Sequence, residues 1–531
     1  MGRPARSRGV ARWAIALTCL AACPTLATRA APAADEVVVP ALRSAPLVEA
    51  ARTGDDAAAA ALLGAHPRVD VNQRSSDGTS ALHWAVYRDD VSLIERLLAL
   101  RADPNARNDY GATPLSVAAV VGDATVVRKL LEAGADVDSP NADGQTALMI
   151  ISRTSNLEVA RLLLQHGADV NARERWRGQT ALMWAAAEGQ PQMVRLLIQY
   201  HADPNARSKL THFQRQVSAE PRMQARPSGG FTPLLYAARK GCLGCAQYLL
   251  AGGADIDLTD PDGVTPLLLA TLNLNFDVAA LLVAHGADVD RWDFWGRSAL
   301  YAAVDMNTLP VGGRADRPAA GATTGVQLIQ RLLEAGANPN LQLKLFPPYR
   351  SLRDDRGADG VLTVGTTPLL RAAKAGDLDA MRLLLAHGAN ASLPNVRGVT
   401  PLMAAAGTGS TAIDTRGRYK TQAQAVAAVA QLLDHGVDVN QRDNNGQTAL
   451  FGAATWGWND VVRTLVARDA DVMVKDVHGR TAADIAAGND GGASGRASTA
   501  RHTDTAALLR KLMASAGSAP PLASSPRDAA Q

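Results

Sequence analysis

The chain has 531 residues, of which 20% are charged and 4% aromatic, and a formal net charge of +3. Arg3, Arg6, Arg8, Arg12 and Arg29 lie in the first thirty residues with no acidic residue among them, which leaves 49 basic against 51 acidic residues in the remainder. A near-neutral body excludes a general electrostatic drive toward nucleic acid.

Four arginines precede an apolar run from Trp13 to Ala22 that is too short to span a bilayer. Residues 1–30 therefore read as an export signal, and 31–43 as a linker. Two cleavage readings stand side by side. Leu20-Ala21-Ala22-Cys23 resembles a bacterial lipobox, in which Cys23 is lipidated. Ordinary cleavage after Ala27, Ala30 or Ala33 is the other. No later transmembrane run follows, so the mature chain is expected in the periplasm, soluble or lipid-anchored at the membrane.

From residue 44 the sequence repeats. A Ser or Thr before Pro/Ala-Leu recurs at Ser80, Thr113, Thr146, Thr180, Thr232, Thr265, Ser298, Thr367, Thr400, Thr448 and Thr481. The steps are 33, 33, 34, 52, 33, 33, 69, 33, 48 and 33 residues. A constant step with a few long outliers marks stacked repeats carrying insertions. Residues 109–137 show how one repeat is built. Asp109-Tyr110-Gly111 is a tight turn. Thr113 stands at a helix N-cap and Pro114 at the first helical position. Leu115, Ala118 and Ala119 give a small apolar face. After Gly122-Asp123 a second helix carries Val126, Val127, Leu130 and Leu131 at three-and-four spacing. Gly134 ends it in the left-handed conformation. Such a unit cannot bury its apolar faces alone, so neighbours must cover them. The expected fold is an all-α repeat solenoid of stacked helix–turn–helix units joined by β-hairpin loops.

Ser80-Ala81-Leu82-His83-Trp84-Ala85 resembles the Thr-Pro-Leu-His-x-Ala pattern of ankyrin repeats, and Gly134-Ala135-Asp136-Val137 resembles their helix-two ending. The resemblance spans 44–513, about twelve units with degenerate caps: a first one led by Pro46-Leu47-Val48, ten numbered from Ser80, and a last one from Thr481. Insertions are expected near 209–228, 308–325, 344–365 and 407–422, and a disordered tail at 514–531. The resemblance implies that His83 hydrogen-bonds between neighbouring hairpins.

No catalytic arrangement stands out. His166, His285, His387 and His435 share the slot before the helix-two Gly, where a helix C-terminus favours a cation without any metal. Asp103, Asp136, Asp169 and their equivalents steady the turn that follows. Cys242 and Cys245 read as small core residues or as a short local disulfide. No cofactor and no metal site is expected.

Binding remains. In the family it resembles, ligands meet the hairpin tips and the exposed end of helix one. Carried over slot by slot, this gives Tyr87, Tyr110, Trp176, Phe231, Trp292, Phe294, Trp295 and Trp456 as partner-binding residues. Arg88, Arg153, Arg177, Arg239, Lys240 and Lys374 are expected on the same surface, whereas Trp84 and Trp184 fall at half-buried framework positions. The expectation is a monomeric, non-catalytic protein-binding scaffold or adaptor in the bacterial cell envelope. A secreted effector, or an accessory factor for an envelope enzyme, is the alternative.

Overall fold

The computed structural model describes residues 45–65, 69–211, 227–308, 321–345, 361–409, 420–488 and 501–517. The export signal with Cys23, the linker and the end of the tail lie outside them, as do the interiors of the four expected insertions.

Among the described residues the chain forms twenty-four α-helices in twelve successive pairs, from Pro46–Thr53 to Thr503–Gly517. The first helix of each unit packs on the first helix of the next, and most second helices likewise on second helices, giving two layers. The core runs continuously between them, from Leu47 to Leu509.

Local chemistry sets the boundaries. Thr113 Oγ1 accepts the Ser116 amide at 3.2 Å, so the N-cap expected there forms, with Pro114 beginning helix Pro114–Val121. Gly122 stops that helix at φ 82°, and Asp123 caps the next, Ala124–Glu132, by accepting the amides of Thr125 and Val126. Val126, Val127 and Leu130 are fully buried there, and Gly134 follows at φ +87°. The same plan recurs in the other units with small changes.

The expected hairpin loops form without a continuous β-ladder among the described residues. Among the described residues only isolated bridges occur: Arg74 with Ser80, Thr211 with Ser228, Trp292 with Ser298 and Lys475 with Thr481. Side chains replace the ladder. The Asn or Asp at the first hairpin position accepts two backbone amides, as Asn395 Oδ1 does from Arg397 at 2.9 Å and Val399 at 3.1 Å. Successive tips are then joined by single backbone bonds, such as Asp109 N to Asp77 O at 2.9 Å and Phe294 N to Asp262 O at 2.7 Å. The tip glycine is required by that approach. A Cβ at Gly144 would meet Arg175 N at 2.8 Å, in a backbone at φ +78°.

In the last unit the second helix continues to Gly517, past the expected end of the array at 513, and Ala514 and Ala516 are strong helix formers that favour the extension. Residues 489–500 separate its two helices and lie outside the described residues.

Candidate functional site

The tips and helix-one ends rest on a framework that fixes them unit by unit. His83 Nδ1 lies 2.8 Å from Ser80 Oγ, and Nε2 lies 3.0 Å from the carbonyl of Ala112 in the next hairpin. The structural role implied for His83 is therefore present. Burial holds its pKa below the ordinary value of 6.5, Arg74 adds to this, and the bond to Ala112 opposes it.

A second ladder joins the turns that follow successive second helices. Asn105 Oδ1 accepts the Asp136 amide at 2.7 Å, while its Nδ2 donates to Gly134 O at 3.0 Å. Asn72, Asn171, Asn205, Asn340 and Asn440 repeat both bonds. Asp136 Oδ1 accepts the Asp138 amide at 3.1 Å, the turn-steadying role expected of that slot. His166 Nδ1 reaches Leu162 O at 2.8 Å, so the histidines of this slot close the helix end, as they do at His285, His387 and His435.

The eight candidate aromatics separate into two groups. Tyr87, Tyr110, Trp176 and Trp292 are exposed, at 64%, 62%, 68% and 49%. Phe231, Phe294, Trp295 and Trp456 are half-buried, against the expectation that they face solvent. Phe231 packs edge-on to Tyr236 at 5.4 Å, beneath Arg239. Trp295 is covered by Arg297 at 5.1 Å and meets Phe294 edge-on at 5.5 Å. Trp456 stacks on Trp458 at 5.4 Å and donates Nε1–H to Gly407 O at 3.1 Å. Trp458 stands in the helix-two cap slot held elsewhere by Asp90, Asp123 or Asp377, and that substitution supplies the stacking partner.

Among the cations, Arg88, Arg153, Arg177, Arg239 and Lys240 are exposed as expected. Lys374 is not. It is buried, on the same helix as Arg371, whose guanidinium pairs with Asp305 of the preceding unit at 2.6 Å. Lys420 is also drawn inward. Its Nζ donates to the last-turn carbonyls of Ala373 and Ala404 and lies 5.9 Å over Trp458, with burial and then Lys374 pushing its pKa well below 10.5. Trp84 and Trp184 are half-buried, with Arg153 5.1 Å over the Trp184 ring.

Glu174 is the residue that slot-reading passed over. The hairpin of unit four is one residue longer than its neighbours, and a Glu replaces the usual Asn or Asp at its first position. The extra methylene spans the extra residue. Buried Glu174 accepts the amides of Trp176 at 2.6 Å, Arg177 at 2.7 Å and Gln179 at 3.0 Å. The step of 34 was the available signal.

Cys242 caps helix Leu243–Ala251, accepting the Cys245 amide, and Cys245 is fully buried. The two are joined as a disulfide with Cα atoms 5.2 Å apart, so Cys245 is at once a core residue and a bridged one. Among the described residues no group of three or more His, Cys, Asp or Glu could hold a metal ion, and no helix is long and apolar enough to cross a membrane.

Serine/threonine-protein kinase 12 of Arabidopsis thaliana is 43% identical to this chain over 56 residues, 10% of this chain and 12% of the kinase. An ankyrin repeat-containing protein of Schizosaccharomyces pombe is 36% identical over 53 residues, 10% of this chain and 26% of that protein. The chain thus spans about a quarter or less of the curated relatives it matches. Among solved structures, the ankyrin repeat domain of Bcl-3 is 26% identical, covering 43% of this chain and 95% of that one at a TM-score of 0.37. The family model for ankyrin repeats matches residues 47–141, 121–208, 234–311, 319–414 and 421–510. Repeats of this kind mediate protein–protein interaction. With the model matching most of its length, the chain belongs to the ankyrin-repeat family.

Proposed function

We propose that this chain is a non-catalytic protein-binding scaffold of the bacterial cell envelope, gripping its partner through aromatic side chains at hairpin tips and helix-one ends. The observation that carries this reading is the exposure of Tyr87, Tyr110, Trp176 and Trp292 in a chain with only 4% aromatic residues. Large rings left in water at loop tips serve as low-entropy anchors for a partner. The arginine-rich start and the apolar run from Trp13 to Ala22 support export. N-terminal sequencing distinguishes lipidation at Cys23 from cleavage that leaves a start between residues 28 and 34.

Photo-crosslinking in cells tests the binding surface. A benzophenone amino acid is placed at Trp176 or Trp292, and in parallel at Glu132 or Glu334 on second helices. The reading expects the same partner from both tip positions and none from the second helices. Crosslinks of equal yield and identity from all four positions overturn it.

A further inference from the structure

Units four and five carry a strip of cations with no ion-pair partner among the described residues. Arg177 and Lys209 stand on adjacent tips, the Lys209 amide donating to Arg177 O at 2.6 Å. Arg239 and Lys240 close helix Pro233–Lys240, both exposed. Side-chain contacts join the two pairs into one surface. Arg239 lies 5.0 Å over the Tyr236 ring, and the Tyr236 hydroxyl accepts from Gln179 Nε2 at 2.6 Å. Gln179 belongs to the hairpin that holds Trp176 and Arg177.

The carboxylates near this strip are engaged. Glu174 is buried under three backbone amides. Asp143 accepts the Trp176 indole N–H at 3.0 Å. Glu188 faces Arg153 at 3.5 Å. What the strip offers is four cations with no ion-pair partner among the described residues, around one exposed, edge-anchored indole.

Resting on the scaffold reading above, we propose that this strip takes an acidic, extended segment of the partner protein. One apolar side chain of that segment lies on the Trp176 ring face. Its carboxylates meet Arg177, Lys209, Arg239 and Lys240. Stacked helix layers repeat at ~8–10 Å, and an extended chain advances ~3.3–3.6 Å per residue. Acidic residues three apart therefore match cations on successive units. A phosphate backbone fits less well, because it offers no apolar side chain to the exposed Trp176 ring.

The test is fluorescence anisotropy with the full-length chain. The probe is a labelled twelve-residue peptide with Glu at every third position and one central Leu. Its comparators are the same peptide with Lys for Glu, a single-stranded oligonucleotide of equal charge, and anionic phosphatidylglycerol vesicles. The Glu peptide is expected to bind, and to weaken by about tenfold or more in Arg239→Gln/Lys240→Gln and in Arg177→Gln/Lys209→Gln. Binding should also weaken as salt rises through ~0.1 M and above. Circular dichroism melts confirm that these exposed substitutions leave the fold intact. Equal binding of the Lys peptide, unchanged affinity in both double variants, or preference for oligonucleotide or vesicles overturns the proposal. Crosslinks from Trp176 that persist while the Glu peptide fails to bind would remove the acidic assignment alone. Loss of tip-specific crosslinks would remove the scaffold reading itself.

Discussion

Trp176 donates its indole N–H to the carboxylate of Asp143, one hairpin earlier, across 3.0 Å. The polar edge of the ring is thereby satisfied while its surface stays 68% exposed. With Glu174 holding the backbone beneath it, the ring is presented in one orientation before any partner arrives. Preorganisation of this kind lowers the entropy cost of binding.

Asp143→Ala should therefore leave Trp176 exposed but free to rotate. The expected result is a stability change within ~0.5 kcal/mol and a few-fold loss of partner affinity. Tryptophan anisotropy on the free protein would show the added motion, and calorimetry would give the affinity.

Leu130 is fully buried between the layers of unit two. Leu130→Ala should destabilise that region by ~2–5 kcal/mol. Because each unit touches only its neighbours, the damage should stay local. Hydrogen exchange is expected to rise in units one to three and stay near wild type beyond unit six. A uniform loss of protection would contradict nearest-neighbour coupling.

His83 gives the N-terminal units a defined pH response. Its folded pKa lies below 6.5, chiefly through burial. As pH falls below about 6.5 the unfolded imidazole takes a proton that the folded one resists, so stability is lost on acidification. His83→Gln should be less stable at pH ~7.5 through the changed bond to Ala112, and its stability should fall less between pH ~6.5 and ~5. Chemical denaturation at both pH values reads the difference in slope.

Asp138 occupies a ladder slot where Asn105 and Asn171 make two bonds. Its carboxylate accepts the Asp169 amide at 2.9 Å but has no N–H to give. Burial raises its pKa, and the carboxylates of Asp169 and Asp136 add to that. A raised folded pKa means that the associated stability is fully present below the unfolded value of 3.8 and is lost as pH rises through the folded one. At neutral pH the charged form is the unfavourable one. Asp138→Asn should therefore stabilise the array by ~0.5–1 kcal/mol at pH 7, with the gain shrinking in acid. Thermal melts at pH ~4 and ~7 would check both the sign and its pH dependence.

The repeat, its caps and the core faces were legible because each slot's chemistry is local. Thr113, Pro114, Gly122 and Gly134 each act within a few residues of themselves. The direction of a tip side chain is not local in that sense. Phe231 turns inward because Tyr236 and Arg239 offer a face for it, and Trp456 because Trp458 lies opposite. Lys374 was misplaced for a similar reason. Its helix is drawn against unit seven by Arg371 and Asp305, a pair 66 residues apart that no repeat spacing reveals. Glu174 was readable in principle, since a longer side chain coincides with a longer turn.

The most direct test of the binding surface is the affinity of the crosslinked partner for Trp176→Ala and Trp292→Ala, measured by calorimetry beside Trp184→Ala. Both tip variants should lose ~2 kcal/mol or more of binding energy with thermal midpoints close to wild type. Trp184→Ala, whose ring packs against the core, should melt earlier yet bind normally per folded molecule. Wild-type affinity in both tip variants, or unfolding of those variants, would contradict the account.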